Sequence, residues 1–101
     1  MYTYYTGSLN PEKLLNDILG SGMIKPEFHM SHDRSVAENY GTVIKITFEE
    51  DLTKAHHGLI GQRAAITGLQ NAKMNGKSET VLLSQAAVNE FYFNLYDAEI
   101  V

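Results

Sequence analysis

Hydrophobic and polar residues alternate, or recur at helical spacing, along most of the 101-residue chain. Aromatic residues and threonines alternate over residues 2–6, which predicts a first strand that ends at Gly7 and Ser8. Asn10 followed by Pro11 is typical of a helix start. Four apolar residues then recur at helical spacing: Leu14, Leu15, Ile18 and Leu19. Since glycines follow at once, the pattern predicts a short amphipathic helix over residues 10–20.

The stretch from His29 to Phe48 combines several signals of regular structure. A short strand is predicted at residues 27–30, and Ser31 or Asp33 can cap a helix that runs from Arg34 to Tyr40. Gly41 is expected to end that helix in the left-handed conformation. Alternate apolar residues then share one face, as in a half-buried strand of an antiparallel or mixed sheet: Ile44, Ile46 and Phe48.

The second half of the chain has weaker patterns. Residues 49–58 are polar and predict a loop, whereas residues 61–74 have apolar residues at helical spacing. Residues 80–84 predict a strand, and residues 84–89 a turn or short helix. Over residues 90–96 one set of alternate positions is apolar (Phe91, Phe93 and Leu95) and the other holds Tyr92, Asn94 and Tyr96, which predicts a last strand that residues 98–101 can extend.

The order of these elements indicates the fold class. The last two predicted strands are too close in sequence for a crossover helix, so we expect them to pair antiparallel. Alternating strands favour an α+β fold, with a small mixed or antiparallel sheet and about three short helices against one face, over a doubly wound parallel sheet. We find no repeat, linker or low-complexity segment, which predicts a single domain over residues 1–101.

Composition narrows the range of functions. The absence of cysteine excludes disulfides, thiolate catalysis and cysteine-based zinc sites. The net charge is −4, and the eight basic residues do not cluster, which argues against nucleic-acid binding. No apolar run approaches the ~20 residues of a membrane-spanning helix, so no membrane association is expected. Since the first residues lack the features of a signal peptide, the expected location is the cytoplasm.

Two sets of residues are candidates for chemistry. His29 and His32 have the spacing of a metal-binding pair, but a site needs three or four convergent ligands, and surface or turn positions explain them and the adjacent His56 and His57. We therefore predict no metal site. Glu79 precedes the strand predicted at 80–84, where a carboxylate either reaches a cleft or is simply solvated.

Three segments in this order resemble motifs of the ADP-ribosyltransferase fold. The first is the Tyr5-Thr6-Gly7-Ser8 sequence after the first strand. The second runs from Phe28 through the serine-containing turn and the helix to Tyr40-Gly41, followed by the strand at 42–48. The third is Ser78-Glu79-Thr80-Val81-Leu82, where the family has a glutamate at a strand start. The similarity covers most of the chain, although each motif is short.

The resemblance implies a split sheet whose cleft binds NAD as the substrate, with transfer of ADP-ribose to a protein or another acceptor. Glu79 would hydrogen-bond a ribose hydroxyl and stabilise an oxocarbenium-like transition state. Five further residues would contact the dinucleotide or support its nicotinamide side: Tyr5, Thr6, Gly7, Ser31 and Tyr40.

Three positions depart from the family pattern. Thr6 stands where the family has histidine or arginine, Lys77 stands where many arginine-modifying members have a second glutamate, and His29 stands where a Ser-Thr-Ser version would start. These departures keep two alternatives open. One is a non-catalytic inhibitor or binding module, of phage or mobile-element type, that acts on a host protein. The other is a binder that sequesters a nucleotide-derived small molecule.

Overall fold

A computed structural model describes residues 1–20, 22–49, 69–74, 77–82 and 85–101. Within these ranges the chain is an α+β domain in which every paired strand is antiparallel. The helices are α1 (Pro11–Ile18), α2 (Arg34–Glu38) and α3 (Gln85–Asn94). The strands are β1 (Tyr2–Ser8), β2 (Phe28–Met30), β3 (Thr42–Phe48), β4 (Leu69–Met74), β5 (Lys77–Leu82) and β6 (Leu95–Ile100). No described helix is long and apolar enough to cross a membrane.

The described strands form two three-stranded sheets that meet at one residue pair. The first sheet has the order β1-β3-β6 and the second the order β2-β5-β4. Tyr5 in β1 and Ser31 just after β2 exchange two backbone hydrogen bonds, of 2.6 and 2.8 Å, across the junction. Because this is an isolated bridge rather than a ladder, the sheets diverge on either side of it.

The main core lies on one face of the first sheet. Ile44, Ile46 and Phe48 of β3 are fully buried, as their alternation predicts, and they cluster with Ile18 of α1 and Phe91 of α3. Helix α2 covers the opposite face, where its backbone contacts β1 at Gly7. The prediction that the helices lie against one face is therefore wrong: Val36 and Ala37 give α2 an apolar surface of its own to bury.

The local signals in the first half of the chain are confirmed. Pro11 begins α1, although the Asn10 side chain makes no capping hydrogen bond and its backbone N–H instead donates to Ser8 Oγ over 2.9 Å. Asp33 caps α2 by accepting a hydrogen bond of 2.9 Å from the backbone N–H of Ser35. Gly20 and Gly41 follow α1 and α2 with φ of +98° and +130°, the conformation that glycine adopts without cost.

Two predictions in the second half are wrong. Residues 69–74, the end of the helix predicted at 61–74, form strand β4, and residues 61–68 lie outside the described part. Residues 90–94 belong to α3 rather than to a strand, and the last strand begins at Leu95. As a result the strand predicted at 80–84 (β5 at Lys77–Leu82) does not pair with the last strand, since β5 and β6 lie in different sheets.

Candidate ligand-binding site

A cleft of about 360 Å³ opens beside the junction of the two sheets. Its volume falls at the lower end of the range of ~300–1,000 Å³ that is usual for small-molecule sites. Strand β1, helix α1, the segment before β2, strand β2 and the segment after α2 all contribute to it. The lining residues are Thr6, Gly7, Lys13, Leu14, Asp17, Met23, Ile24, Lys25, Glu27, Phe28, His29 and Tyr40.

Two of the motif residues in β1 line the cleft. Thr6 is buried, and its hydroxyl donates a hydrogen bond of 2.7 Å to the backbone carbonyl of His29 in β2. Gly7 lies under the end of α2, where a side chain would meet the carbonyl oxygen of Ala37. Thr6 therefore holds the two sheets together next to the cleft, and Gly7 lets the backbone of α2 come close to β1.

Tyr40 and His29 form an aromatic pair on one side of the cleft. Their ring centroids are 5.8 Å apart, and the rings are tilted by 39°. Tyr40 follows α2 and precedes Gly41, so the close contact of α2 with Gly7 determines where the tyrosine ring lies. Aromatic faces of this kind can stack on a planar ring of a ligand.

Tyr5 and Ser31 do not line the cleft, although they belong to its frame. They form the backbone bridge between the sheets, and the Tyr5 side chain is partly exposed. Ser31 is buried, and its Oγ accepts a hydrogen bond of 3.0 Å from the backbone N–H of Asp33 at the start of α2. The structure thus brings together three of the predicted contact residues in the cleft: Thr6, Gly7 and Tyr40. The other two, Tyr5 and Ser31, connect the two sheets instead.

Glu79 lies on β5, the strand that pairs with β2. His29 is opposite Val81 and Met30 is opposite Thr80 in this antiparallel ladder. Thr80 and Met30 are the last pair of this ladder, so Glu79 is the residue of β5 that precedes it, and Glu79 itself pairs with Ala72 of β4. Met30 is followed by Ser31, which is bridged to Tyr5. Glu79 therefore lies on the strand of the second sheet that pairs with β2, one residue beyond the end of their ladder.

Charges of both signs line the cleft. Lys13 and Asp17 of α1 form an i, i+4 ion pair, with Nζ 3.1 Å from the carboxylate oxygen. Lys25 and Glu27 are exposed residues of the segment that leads into β2. The bottom of the cleft is apolar, since Ile24 and Phe28 are buried. The site thus combines an apolar base with a charged rim, as small-molecule sites often do.

Tyr92 of α3 makes hydrogen bonds to two segments that form the wall of the cleft. Its hydroxyl donates a hydrogen bond of 2.6 Å to the carbonyl of Asp17 and accepts one of 2.9 Å from the backbone N–H of Ile24. These bonds tie the end of α1 and the segment before β2 to the same side chain. Both bonded residues line the cleft, so Tyr92 fixes two parts of its wall relative to each other without lining it.

Removal of this hydroxyl should weaken the fold measurably. We expect Tyr92→Phe to lower the free energy of unfolding by about 1–2 kcal/mol, since two partly buried backbone groups lose a partner. Urea unfolding monitored by circular dichroism measures the change. Tyr96→Phe is the control, because Tyr96 is 58% exposed and should unfold like the wild type. Equal stability of Tyr92→Phe and the wild type would contradict the view that the two hydrogen bonds of the Tyr92 hydroxyl stabilise the fold.

The two described histidines have different surroundings. His29 lies beside Tyr40, whereas His32 stacks on Tyr4 at a centroid distance of 3.9 Å, with its Nδ1 2.9 Å from the carbonyl of Thr3. Among the described residues, no three histidine, aspartate or glutamate side chains are grouped so that they could hold a metal ion. His56 and His57 lie outside the described part of the chain.

The comparisons with protein-family models, with curated proteins and with solved structures find no match to this chain.

Several cleft residues lie outside the predicted set, notably Lys13, Lys25 and His29. The amphipathic pattern of α1 indicates that Lys13 and Asp17 share a face, but not that this face borders β2. Lys25 precedes Pro26 in a segment without periodicity, so no sequence signal marks it. Both lysines reach the cleft because Tyr92 joins the end of α1 to the segment before β2, and no local sequence pattern encodes this tertiary contact.

Proposed function

We propose that this protein binds NAD in the cleft at the junction of the two sheets and transfers ADP-ribose from it to an acceptor. The observation that carries the proposal is the convergence of Thr6, Gly7 and Tyr40 on one cleft where an antiparallel sheet is split. These residues come from two motifs that are separated by more than 30 positions in the sequence, and both motifs are recognisable without any knowledge of the cleft.

The position of Glu79 supports the same proposal. The glutamate precedes Thr80, the residue of β5 that pairs with Met30 of β2, and Ser31 of the bridge to Tyr5 follows Met30 directly. In the proposed reaction the bond between the ribose C1 and the nicotinamide nitrogen breaks, and nicotinamide leaves with the bonding electrons. The acceptor nucleophile then forms a bond to C1. A carboxylate near the ribose stabilises the positive charge that develops in between.

Replacement of Glu79 tests the catalytic part of the proposal. We expect Glu79→Gln to lower the rate of nicotinamide release from NAD on the order of 100-fold, because the neutral amide no longer stabilises a cationic transition state. Chromatography of the released nicotinamide measures the rate, with candidate host proteins added as acceptors. Glu38→Gln is the matched control, since Glu38 is exposed on α2 and does not line the cleft.

Two outcomes would contradict this proposal. One is a wild-type protein that neither binds NAD nor releases nicotinamide from it. The other is a Glu79→Gln variant that reacts as fast as the wild type, which would remove the carboxylate from the mechanism.

A second candidate function is sequestration of a nucleotide-derived small molecule without cleavage. The observation that favours it is that the two aliphatic hydroxyls among the predicted contact residues are engaged within the fold: Thr6 donates to the carbonyl of His29, and Ser31 accepts from the N–H of Asp33. Calorimetry against NAD, ADP-ribose and cyclic ADP-ribose separates the two functions. Tight binding of NAD without nicotinamide release, in the presence of acceptors, would favour sequestration.

A further inference from the structure

We infer that Lys25, together with Lys13, forms a diphosphate-binding site at the rim of the cleft, which selects ligands that contain a pyrophosphate. The inference deepens the proposed function and rests on it, because it names the group by which NAD or ADP-ribose would be held. It also gives the cleft a cationic anchor that does not come from the strand β1.

The Thr6 side chain in β1 is not suited to this purpose. Its hydroxyl is buried and donates its proton to the carbonyl of His29 over 2.7 Å. It carries no charge, and its hydrogen bond joins the two sheets. Thr6 therefore supplies no charged group for a phosphate in the cleft.

The two lysines are suitably placed to bind it. They come from different elements, α1 and the segment before β2, and both line the same cleft. Lys13 Nζ lies 3.1 Å from a carboxylate oxygen of Asp17, so this carboxylate partly offsets the Lys13 charge and Lys25 is the principal cation of the proposed site. Lys25 is exposed and makes no ion pair within the described part of the chain. Its ammonium group can thus bind an anion.

The shape of the cleft is consistent with a ligand that extends beyond it. A volume of about 360 Å³ suits one nucleoside better than both halves of a dinucleotide. A base can lie on the apolar bottom formed by Ile24 and Phe28, beside the His29–Tyr40 pair. The diphosphate then leaves the cleft at its rim, where lysine acts as a point charge for phosphate oxygens.

Calorimetry with a series of ligands tests the inference. The series is adenosine, AMP, ADP, ADP-ribose and NAD, each titrated into the wild type, Lys25→Ala and the double variant Lys13→Ala/Lys25→Ala. We expect Lys25→Ala to weaken NAD and ADP-ribose binding on the order of 10-fold, and the double variant to weaken it further. Adenosine binding should not change. Added NaCl should weaken NAD binding to the wild type more than to the double variant.

Lys45→Ala is the matched control, because Lys45 lies on β3 and does not line the cleft. Since Lys13 and Lys25 are exposed, their removal should leave the circular dichroism spectrum and the melting temperature unchanged. Wild-type binding of NAD with no loss in the double variant would overturn the inference while leaving the proposed function intact. Suppose that the wild type binds ADP but not NAD, and that the double variant loses ADP binding. This result would support the diphosphate-binding site at Lys13 and Lys25 and would overturn the proposed function. No binding of any ligand to the wild type would overturn both.

Discussion

Replacing Phe91 with alanine is expected to lower the free energy of unfolding by about 3–5 kcal/mol, which is the cost of deleting a fully buried aromatic side chain. Phe91 has no exposed surface, and its ring makes edge-to-face contacts with Phe28 and Phe48 at centroid distances of 5.5 and 5.1 Å. It joins α3 to both sheets, because Phe28 lies on β2 and Phe48 on β3. The cavity would therefore weaken the contact of the helix with both.

Phe93→Ala is the control for this prediction. Phe93 is only two residues away but is 71% exposed. We expect its replacement to change the free energy of unfolding by less than about 0.5 kcal/mol, as for other surface substitutions. Guanidinium unfolding of the wild type, Phe91→Ala and Phe93→Ala measures these changes in stability. The dependence of the unfolding free energy on denaturant concentration should be compared as well as the midpoint. If residues 90–96 formed a strand, Phe91 and Phe93 would share a face and the two variants would lose similar stability. That result would contradict helix α3.

The positions of Phe91 and Phe93 also explain why the sequence predicts a strand where the structure has a helix. Residues 90–96 are rich in aromatic side chains, which have high strand propensity, and Phe91, Phe93 and Leu95 give them an apparent period of two residues. Phe93 is exposed, however, so this period does not match the buried face. The buried residues of α3 instead follow the period of a helix: Ala87, Val88, Phe91 and Asn94. This signal begins before residue 90, so a longer window that starts at Gln85 favours the helix.

Prediction was more successful in the first half of the chain because each element there has its own local cause. Pro11 begins a helix, Asp33 caps one, and Gly41 follows one in a left-handed conformation. Each of these effects acts within a few residues and does not depend on the rest of the fold. Strand β4 has no such signal, since residues 69–74 acquire their structure by pairing with β5.

The cleft could be predicted only in part, for a related reason. Thr6, Gly7 and Tyr40 lie in segments with recognisable motifs, and the structure brings them together. Lys13 and Lys25 reach the same cleft because Tyr92 joins the end of α1 to the segment before β2, a tertiary contact that no local pattern encodes. Ser31 shows the opposite case: its residue type fits a binding motif, but its hydroxyl accepts the N–H of Asp33 instead.

Replacing Gly7 with alanine is expected to destabilise the protein by about 3 kcal/mol or more, at the upper end of the range for overpacking. A methyl group at this position would meet the carbonyl oxygen of Ala37 and would lie 3.1 Å from Tyr40 Cβ. The oxygen belongs to the backbone of α2 and accepts the N–H of Tyr40 over 2.9 Å, so it cannot rotate away as a side chain can. The helix must move, and Tyr40 must move with it.

Gly20→Ala separates this steric effect from the general cost of replacing a glycine. Gly20 has φ of +98°, and no atom of the described residues lies within 4 Å of the position that an alanine methyl group would take. Its replacement therefore costs only backbone strain, about 1–2 kcal/mol. Thermal unfolding should show a clearly larger decrease in stability for Gly7→Ala than for Gly20→Ala.

Ligand titration adds a second readout of the same pair of variants. Displacement of Tyr40 should weaken binding in the cleft for Gly7→Ala, whereas Gly20→Ala should bind like the wild type because Gly20 does not line the cleft. A Gly7→Ala variant as stable as Gly20→Ala would contradict the close contact of β1 with α2. It would also contradict the position of Tyr40 at the cleft, since that contact is what places the tyrosine there.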